Sequence, residues 1–365
     1  MDKIKSISIP VNSRVIVISD IHGEINLFQN LLHKVEFCAD DYLIINGDLC
    51  EKGSNSKEVV QYVMELSQNN PNVHVLEGNC DTLVEDLLDE NPKLIDYLLA
   101  RKHALINEWL DEIGFSIGEQ TKVQEIKELV MEKYNQEIQW LYHLPTVIET
   151  DKYLFVHAGL ENCENWKETD RLNAISMPSF LEKEHHADKF VIVGHWPVVN
   201  YKSDIPTNNP IIDKKKKIIA IDGGNVIKST GQLNAFIIQT ADGEDSFSHM
   251  FVDHFPTCKV LKDFQANDVM AKGAIQYPHY DILPLQRGEH FTICRQIETN
   301  QQLYVKNEYI IKQDEDRFTV KADVSCAQIS VRKGDRISLV DPNCSGYALI
   351  KKDGKLGWVL KETIM

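Results

Sequence analysis

Short, dense apolar runs alternate with longer periodic ones along the first two-thirds of the chain. Residues 14–19 (RVIVIS) are β-branched and bounded by polar positions, which predicts a buried strand. Gly23 then permits a tight turn. Ile25, Phe28, Leu32 and Val35 follow at helical spacing, so 24–35 predicts an amphipathic helix. The pattern repeats with a strand at 42–46 (YLIIN), a helix at 57–66 and a strand at 73–76. Strand–helix alternation with short, wholly apolar strands predicts parallel βαβ units covered by helices, an α/β fold. From about Leu83 to Leu144 the pattern is helical and highly charged, which predicts a helical insert or cap. Strands return at 152–156 (KYLFV), 190–193 (FVIV), 218–221 (IIAI) and 235–239.

After about Asp242 the character changes to short β-like runs with turn signals and no long amphipathic helix. A weak internal repeat aligns 283–293 (LPLQRGEHFTI) with 329–339 (ISVRKGDRISL), an offset of about 46 residues, and Val305-Lys306 matches Ile350-Lys351 at nearly the same offset. Tandem small β-barrels are expected. The chain therefore divides into 1–245, with its helical insert at about 84–144, a β-rich module at 246–320, and a barrel at 321–365.

Composition narrows the function classes. With 365 residues and a formal net charge of −16, the chain is a poor ligand for nucleic acid or an anionic membrane surface, both of which need clustered Lys and Arg. The run Lys214 to Lys217 lies in a polar loop between strands and reads as a solvated loop. No apolar run approaches the ~20 residues of a membrane span, and the N-terminus carries no signal-peptide pattern. The eight cysteines are scattered without a CxxC pair, which fits free thiols and a cytoplasmic location.

Each predicted strand in the first two-thirds ends in a candidate metal ligand. The series is Asp20-Ile21-His22-Gly23, Gly47-Asp48, Gly78-Asn79, His157-Ala158-Gly159 and Gly194-His195-Trp196-Pro197. The first three are spaced about 30 residues apart, one βαβ step. In an open α/β sheet the carboxyl ends of the strands converge on one edge, where ligands bind. Two Asp, one Asn and three His exceed the needs of one tetrahedral zinc and suit two metals sharing a bridging carboxylate.

With these motifs in place, the sequence resembles the calcineurin-like metallophosphoesterases, and within them the bacterial serine/threonine phosphoprotein phosphatase and diadenosine tetraphosphatase branch. The resemblance covers about residues 12–240 and rests on DIHGEINLFQNLL, NGDLCEKG, EGNCD, LPTVIETDKYLFVHAGL, VIVGHWPV and IDGG. It implies a two-layered β-sandwich flanked by helices. It also implies that Asp20 and His22 hold one divalent metal, that Asp48 bridges both, and that Asn79, His157 and His195 hold the second. Manganese, iron or zinc is typical of the family, with manganese expected in vitro. The implied substrate is a phosphorylated protein or a nucleotide. The end of the chain, Gly354-Lys355-Leu356-Gly357-Trp358-Val359, resembles a Src-homology-3-like barrel. It keeps Tyr347 and Trp358 but has Leu360 and Thr363 where that family's groove has Pro and Tyr, so a proline-rich ligand is not expected, and the barrel reads either as a module that contacts a protein partner or positions substrate, or as a purely structural one.

The departures bear on chemistry. Where the protein phosphatases read Arg-Gly-Asn-His-Glu, this chain reads Glu77-Gly78-Asn79-Cys80-Asp81. Cys80 stands in place of the proton-donating His, Asp81 keeps the acid that orients it, and Glu77 replaces an Arg. Glu51-Lys52 replaces Asp-Arg, leaving Lys52 as a point charge without the Arg fork. Arg171 follows His157 at a distance suited to a substrate contact. No CxxxxxR follows Cys80, so a thiolate-nucleophile mechanism is disfavoured. Three readings result: a dimetal phosphomonoesterase like the serine/threonine protein phosphatases, a hydrolase of dinucleoside polyphosphates or phosphodiesters, and a weakly active or inactive binding protein that keeps the fold.

Overall fold

The structure, a computed structural model, describes residues 1, 3–267, 272–314 and 317–364. It separates into two compact units. The first comprises 1–196, 210–227 and 232–252; the second comprises 197–209, 228–231 and 253–365.

The first unit is built on two sheets. One contains β1 (Ile4–Ser6), β5 (Val147–Glu149), β6 (Tyr153–Val156), β7 (Phe190–Val193), β9 (Ile218–Ala220) and β8 (Ile211–Asp213), in that spatial order. The other is ordered β11 (Ser246–Val252), β10 (Leu233–Gln239), β2 (Arg14–Ile18), β3 (Tyr42–Asn46) and β4 (Val73–Leu76). The run RVIVI explains why the strand is apolar throughout. Val15 and Val17 point into the layer between the sheets, with Ile44, Leu76, Phe155, Ile192, Ile219 and Phe236. Ile16 and Ile18 point the other way, into the helical layer. A strand covered on both faces has no polar side to show. β2, β3 and β4 run parallel, as βαβ crossovers require. Helices α1 (Ile25–Lys34) and α2 (Ser56–Asn69) supply those crossovers. The result is the two-layered sandwich flanked by helices that the sequence implied.

The insert is four helices: α3 (Leu83–Leu88), α4 (Lys93–Ala100), α5 (Leu105–Ile113) and α6 (Val123–Tyr142). Their apolar stripes join the core beneath α1 and α2, and Trp109 stacks on Tyr134 with ring centroids 5.0 Å apart. The insert also docks through polar groups. Glu108 of α5 accepts the Ser56 and Lys57 amides at 3.0 and 2.8 Å, capping the first turn of α2 with a charge that suits its dipole. A short helix, α7 (Arg171–Ser176), begins at Asp170, whose carboxylate accepts from the Leu172 and Asn173 amides. Among the described residues no helix is long and apolar enough to cross a membrane.

Among its described residues the second unit is built of β-strands joined by loops and short 3-10 turns. One sheet is β12 (Thr257–Lys259), β20 (Arg336–Asp341), β21 (Tyr347–Lys352) and β22 (Lys355–Leu360); a five-stranded sheet is β16 (Gln302–Lys306), β15 (Phe291–Gln296), β14 (Asp281–Arg287), β18 (Phe318–Val320) and β17 (Ile310–Lys312). β13 (Ala274–Ile275) pairs with β19 (Val324–Ser325). β12 precedes the five-stranded sheet in sequence yet pairs with β20 beyond it. The internal repeat places Lys306 and Lys351 at equivalent buried positions. Lys306 donates to the His290 carbonyl and Glu308, and Lys351 to the Gly231 carbonyl with Asp253 at 3.3 Å. Trp358 is fully buried against the edges of Phe291 and Tyr309 and donates its indole N–H to the Ser325 carbonyl at 2.6 Å. It is a core residue and not the wall of an open aromatic groove.

Candidate metal centre

The donors sit just past the strand ends, and the backbone there is unusual. Asp20, His22, Asp48 and His195 all have positive φ, between 49° and 62°. Such φ values are uncommon outside glycine, though Asn, Asp and His tolerate them best. What holds them is a short ladder between two loops. Asp20 N–H donates to Gly47 O at 3.0 Å, His22 N–H to Asp48 O at 3.0 Å, and Gly23 N–H to Leu49 O at 2.8 Å. Gly47 is required twice over: its φ is +83°, and a Cβ there would stand 2.7 Å from both Gly78 N and His157 Nδ1. At Gly78 a Cβ would lie 2.2 Å from Asp48 Oδ1. The glycines before Asp48 and Asn79 let these loops close on one another.

Asp81 fastens the arrangement from below. Its carboxylate accepts from the Asp48, Leu49 and Gly78 amides at 2.8 to 2.9 Å and from the Cys50 amide at 3.3 Å. The structure thus engages Asp81 in holding the Asp48 loop.

Five of the six expected donors come together directly. His22 Nε2 lies 3.8 Å from Asp20 Oδ1 and 3.7 Å from Asp48 Oδ2; His157 Nε2 lies 3.4 Å from Asp48 Oδ1. The His157 and His195 ring centroids are 5.2 Å apart. Asn79 completes the set, with one end of its amide 2.8 Å from His195 Nδ1 and 3.2 Å from the Ile175 carbonyl. Two three-donor groups result, His22–Asp48–Cys80 and Asp48–His157–His195, each with its donor atoms within 4.8 Å of one another. Asp48 belongs to both.

The donor chemistry fits divalent cations. His22 Nδ1 faces Cys50 O at 3.1 Å and His157 Nδ1 faces Asn46 O at 2.9 Å. With those protons on Nδ1, each Nε2 is left as an acceptor, the usual second-sphere orientation of a metal-binding imidazole. His22 Nε2 is fully buried and has no hydrogen-bond partner among the described residues. The charge count points the same way, because Asp20, Asp48, Asp81 and Asp222 are all buried here. Burial pushes Asp20 up to about 7, and the neighbouring Asp48 charge adds to the rise. Burial also opposes ionisation of Asp48, but His157 and His22 override it and hold its carboxyl well below the usual range. His157 is desolvated too, yet Asp48 and Asp20 raise it to about 10. Burial takes His195 down to about 4, helped by the His157 charge. A cluster of buried acids that must borrow protons from one another is short of positive charge, and metal cations would supply it.

The other expected site residues are placed as follows. Cys80 is half-buried beside Asp48 Oδ1, which accepts its amide at 2.8 Å. Burial and the Asp48 charge push its thiol well above the ordinary value, the opposite of an activated nucleophile. Lys52 is exposed, in a left-handed conformation, and forms no ion pair among the described residues. Arg171 is not a bare cation. Its guanidinium lies between Glu77 (2.7 Å from both Nε and Nη2) and Glu85 (2.9 and 2.5 Å). Glu77 also accepts from Thr146 Oγ1 at 2.6 Å and lies 3.3 Å from Lys3 Nζ.

Two features escaped the sequence reading. Asp222, at the end of β9, is fully buried, and its Oδ2 has no hydrogen-bond partner among the described residues. It ends a strand in IDGG as the named donors end theirs, and that was the available signal. Glu51 is also buried, accepting from Tyr97 Oη at 2.7 Å and the Leu105 amide at 2.8 Å. Its partners lie about 50 residues away in the insert, and no local pattern announces them.

A sequence model of the calcineurin-like phosphoesterase family matches residues 13–224. The chain is 24% identical over 233 residues to the asymmetrical bis(5'-nucleosyl)-tetraphosphatase PrpE of Anoxybacillus flavithermus, covering 60% of this chain and 88% of that protein. It is 27% identical over 176 residues to a symmetrical bis(5'-nucleosyl)-tetraphosphatase of Actinobacillus pleuropneumoniae, covering 47% of this chain and 54% of the relative. Among solved structures, a serine/threonine protein phosphatase from Saccharomyces cerevisiae superposes with a TM-score of 0.45 at 13% identity, over 74% of this chain and 86% of its own. The match spans the donor-bearing strands β2 to β9, and on that ground the chain belongs to the calcineurin-like phosphoesterase family and is a phosphatase.

Proposed function

We propose that the chain is a dimetal phosphohydrolase whose preferred substrates have good leaving groups, phosphoanhydrides such as dinucleoside polyphosphates before alkyl phosphate esters. One observation carries the dimetal part: the Asp48 carboxylate faces both sides, Oδ2 3.7 Å from His22 Nε2, which also stands 3.8 Å from Asp20 Oδ1, and Oδ1 3.4 Å from His157 Nε2. In this reading Asp20 and His22 would hold one divalent cation, Asn79, His157 and His195 would hold the other, and Asp48 would serve both. Bound cations supply a water of lowered pKa and offset charge on the phosphoryl oxygens. The protein's own part is to hold the donors. The Asn46 and Cys50 carbonyls fix the two imidazole tautomers, and Asp81 locks the Asp48 loop.

The leaving-group preference rests on Cys80. Its thiol stands where a proton donor to the leaving oxygen is expected. A thiol held neutral by burial is a weak donor, and loss of general-acid help costs typically 10²–10⁴-fold for a poor leaving group and much less for a good one. The names of the curated relatives, bis(5'-nucleosyl)-tetraphosphatases, agree with this choice. A second reading, a phosphoprotein phosphatase, is favoured by the full donor set and would need another proton donor.

The test is a comparison of turnover on diadenosine tetraphosphate, a phosphoserine peptide and a nitrophenyl diester, with metal removed and Mn²⁺ restored. We expect Mn²⁺-dependent turnover, fastest on diadenosine tetraphosphate. Faster turnover of the phosphopeptide would reverse the substrate assignment. Full activity after metal removal would reject the dimetal reading.

A further inference from the structure

The first unit has three arginines, Arg14, Arg101 and Arg171. Arg14 is committed to Asp41 at 2.8 and 2.6 Å and to the Val35 and Glu36 carbonyls. Arg171 is committed to Glu77 and Glu85. Arg101 is exposed and makes no ion pair among the described residues. Its position is nonetheless fixed. The backbone turns at the corner between α4 and α5, where Asn107 Nδ2 donates to the Leu98 and Arg101 carbonyls at 2.9 and 2.6 Å. The guanidinium carbon lies 4.3 Å from the centroid of the Tyr97 ring, which serves as a platform.

That platform is tied to the donor edge. Tyr97 Oη donates to Glu51, three residues past Asp48. Burial raises the Glu51 carboxyl above its ordinary value, and the Lys52 and Arg101 charges are near enough to oppose that rise. Lys52 follows Glu51 in the same loop, exposed and in a left-handed conformation. Two cations without an ion pair among the described residues, one on the loop after Asp48 and one on the insert, therefore flank a buried carboxylate in that loop. Glu51 is already engaged by Tyr97 and Leu105, so it does not take up the guanidinium fork. A planar fork with no carboxylate to hold, kept in place by an aromatic ring, suits a phosphate group.

We propose that Arg101, seated on Tyr97 and acting with Lys52, is the phosphate clamp of this enzyme, so that the helical insert supplies the guanidinium that the loop after Asp48 lacks. The proposal rests on the dimetal reading above. It gives the insert a part in substrate binding and makes Tyr97 a positioning residue that aims the clamp.

The test uses the full chain loaded with Mn²⁺. Metal content is measured by elemental analysis, inorganic phosphate binding by calorimetry, and kcat and KM with nitrophenyl phosphate. Arg101→Ala should weaken phosphate binding and raise KM by about tenfold, equivalent to about 1.4 kcal/mol, with metal content unchanged and a smaller effect on kcat. Arg101→Lys should restore only part of the affinity. Lys102→Ala removes one charge from the exposed neighbour and should leave both constants alone. Unchanged phosphate affinity in metal-loaded Arg101→Ala overturns the clamp and leaves the dimetal reading standing. So does an equal loss in Lys102→Ala, which would show only a general field. A wild-type protein that takes up no metal overturns the dimetal reading and the clamp with it.

Discussion

The loops after β2 and β3 and the loop after β4 lie on one edge of the same sheet, yet they treat charge in opposite ways. The first two bury Asp20 and Asp48 beside imidazoles whose Nε2 atoms face inward, and the His22 Nε2 is left without a partner. The third opens with Glu77, nearly as buried, but closed off completely by Arg171, Thr146 and Lys3. The carboxylates of the first two loops stand open to a cation, whereas the Glu77 carboxylate that opens the third is already answered by protein groups. A buried ionisable group on its own is therefore a poor guide to a ligand site; the unanswered hydrogen-bond valence beside it is the better one.

The largest expected effect tests the open region. Asp48→Asn keeps the shape and the tolerance for positive φ but removes the shared charge. Activity should fall on the order of 10³-fold, and metal content measured by elemental analysis should drop with it. Retained turnover would mean that the shared carboxylate is not the organising feature. Next, Cys80→His should restore a proton donor beside the open region. Hydrolysis of alkyl phosphates should rise by about 10²-fold, with a much smaller change for diadenosine tetraphosphate; equal gains on both would remove the leaving-group argument.

The closed region should show its role in stability. Arg171→Ala leaves Glu77 buried without its fork, and breaking such a pair typically costs about 3 kcal/mol. Because the arginine is 28% exposed, about 2 kcal/mol is the expectation, read from urea unfolding midpoints. No measurable loss would mean that Glu77 is as hydrated as a surface acid. The smallest effect comes from the strand that leads into this region. His74 on β4 is held down to about 4, first by burial and then by Lys5. The unfolded chain takes up that proton near 6.5. It thus binds more protons than the folded chain between about 6.5 and 4. Stability should fall as pH drops through that window, by about 1 kcal/mol once the partial hydration of the ring is allowed for, and His74→Gln should flatten the dependence.

What the sequence made legible follows the same division. β3, β4 and β7 begin and end where their β-branched runs do, because strands buried on both faces leave a continuous apolar signature. The clustered side chains were legible for a related reason: each follows such a run closely, often behind a glycine whose absent side chain can be read directly. The three-residue strands β1, β5 and β8 are too short to establish a period. β11 is mostly exposed along its length, so its pattern resembles a loop, although it pairs with β10 over seven residues as the last strand of the first unit. The partners of Glu77 and Glu51 were out of reach because they come from α7 and the insert. At Glu77 the sequence shows only an acid where an arginine was expected. The structure shows that an arginine faces it from another element.

The left-handed backbone at Asp20, His22, Asp48 and His195 has a consequence for how this site can change over generations. At such φ values asparagine is among the least strained replacements and β-branched residues among the worst. A descendant that loses catalysis by drift would thus be expected to pass first through asparagine and glycine, keeping its loops in shape after the metals are gone. The fold of the site should outlast its chemistry, and a silent relative would still be recognisable by the turns.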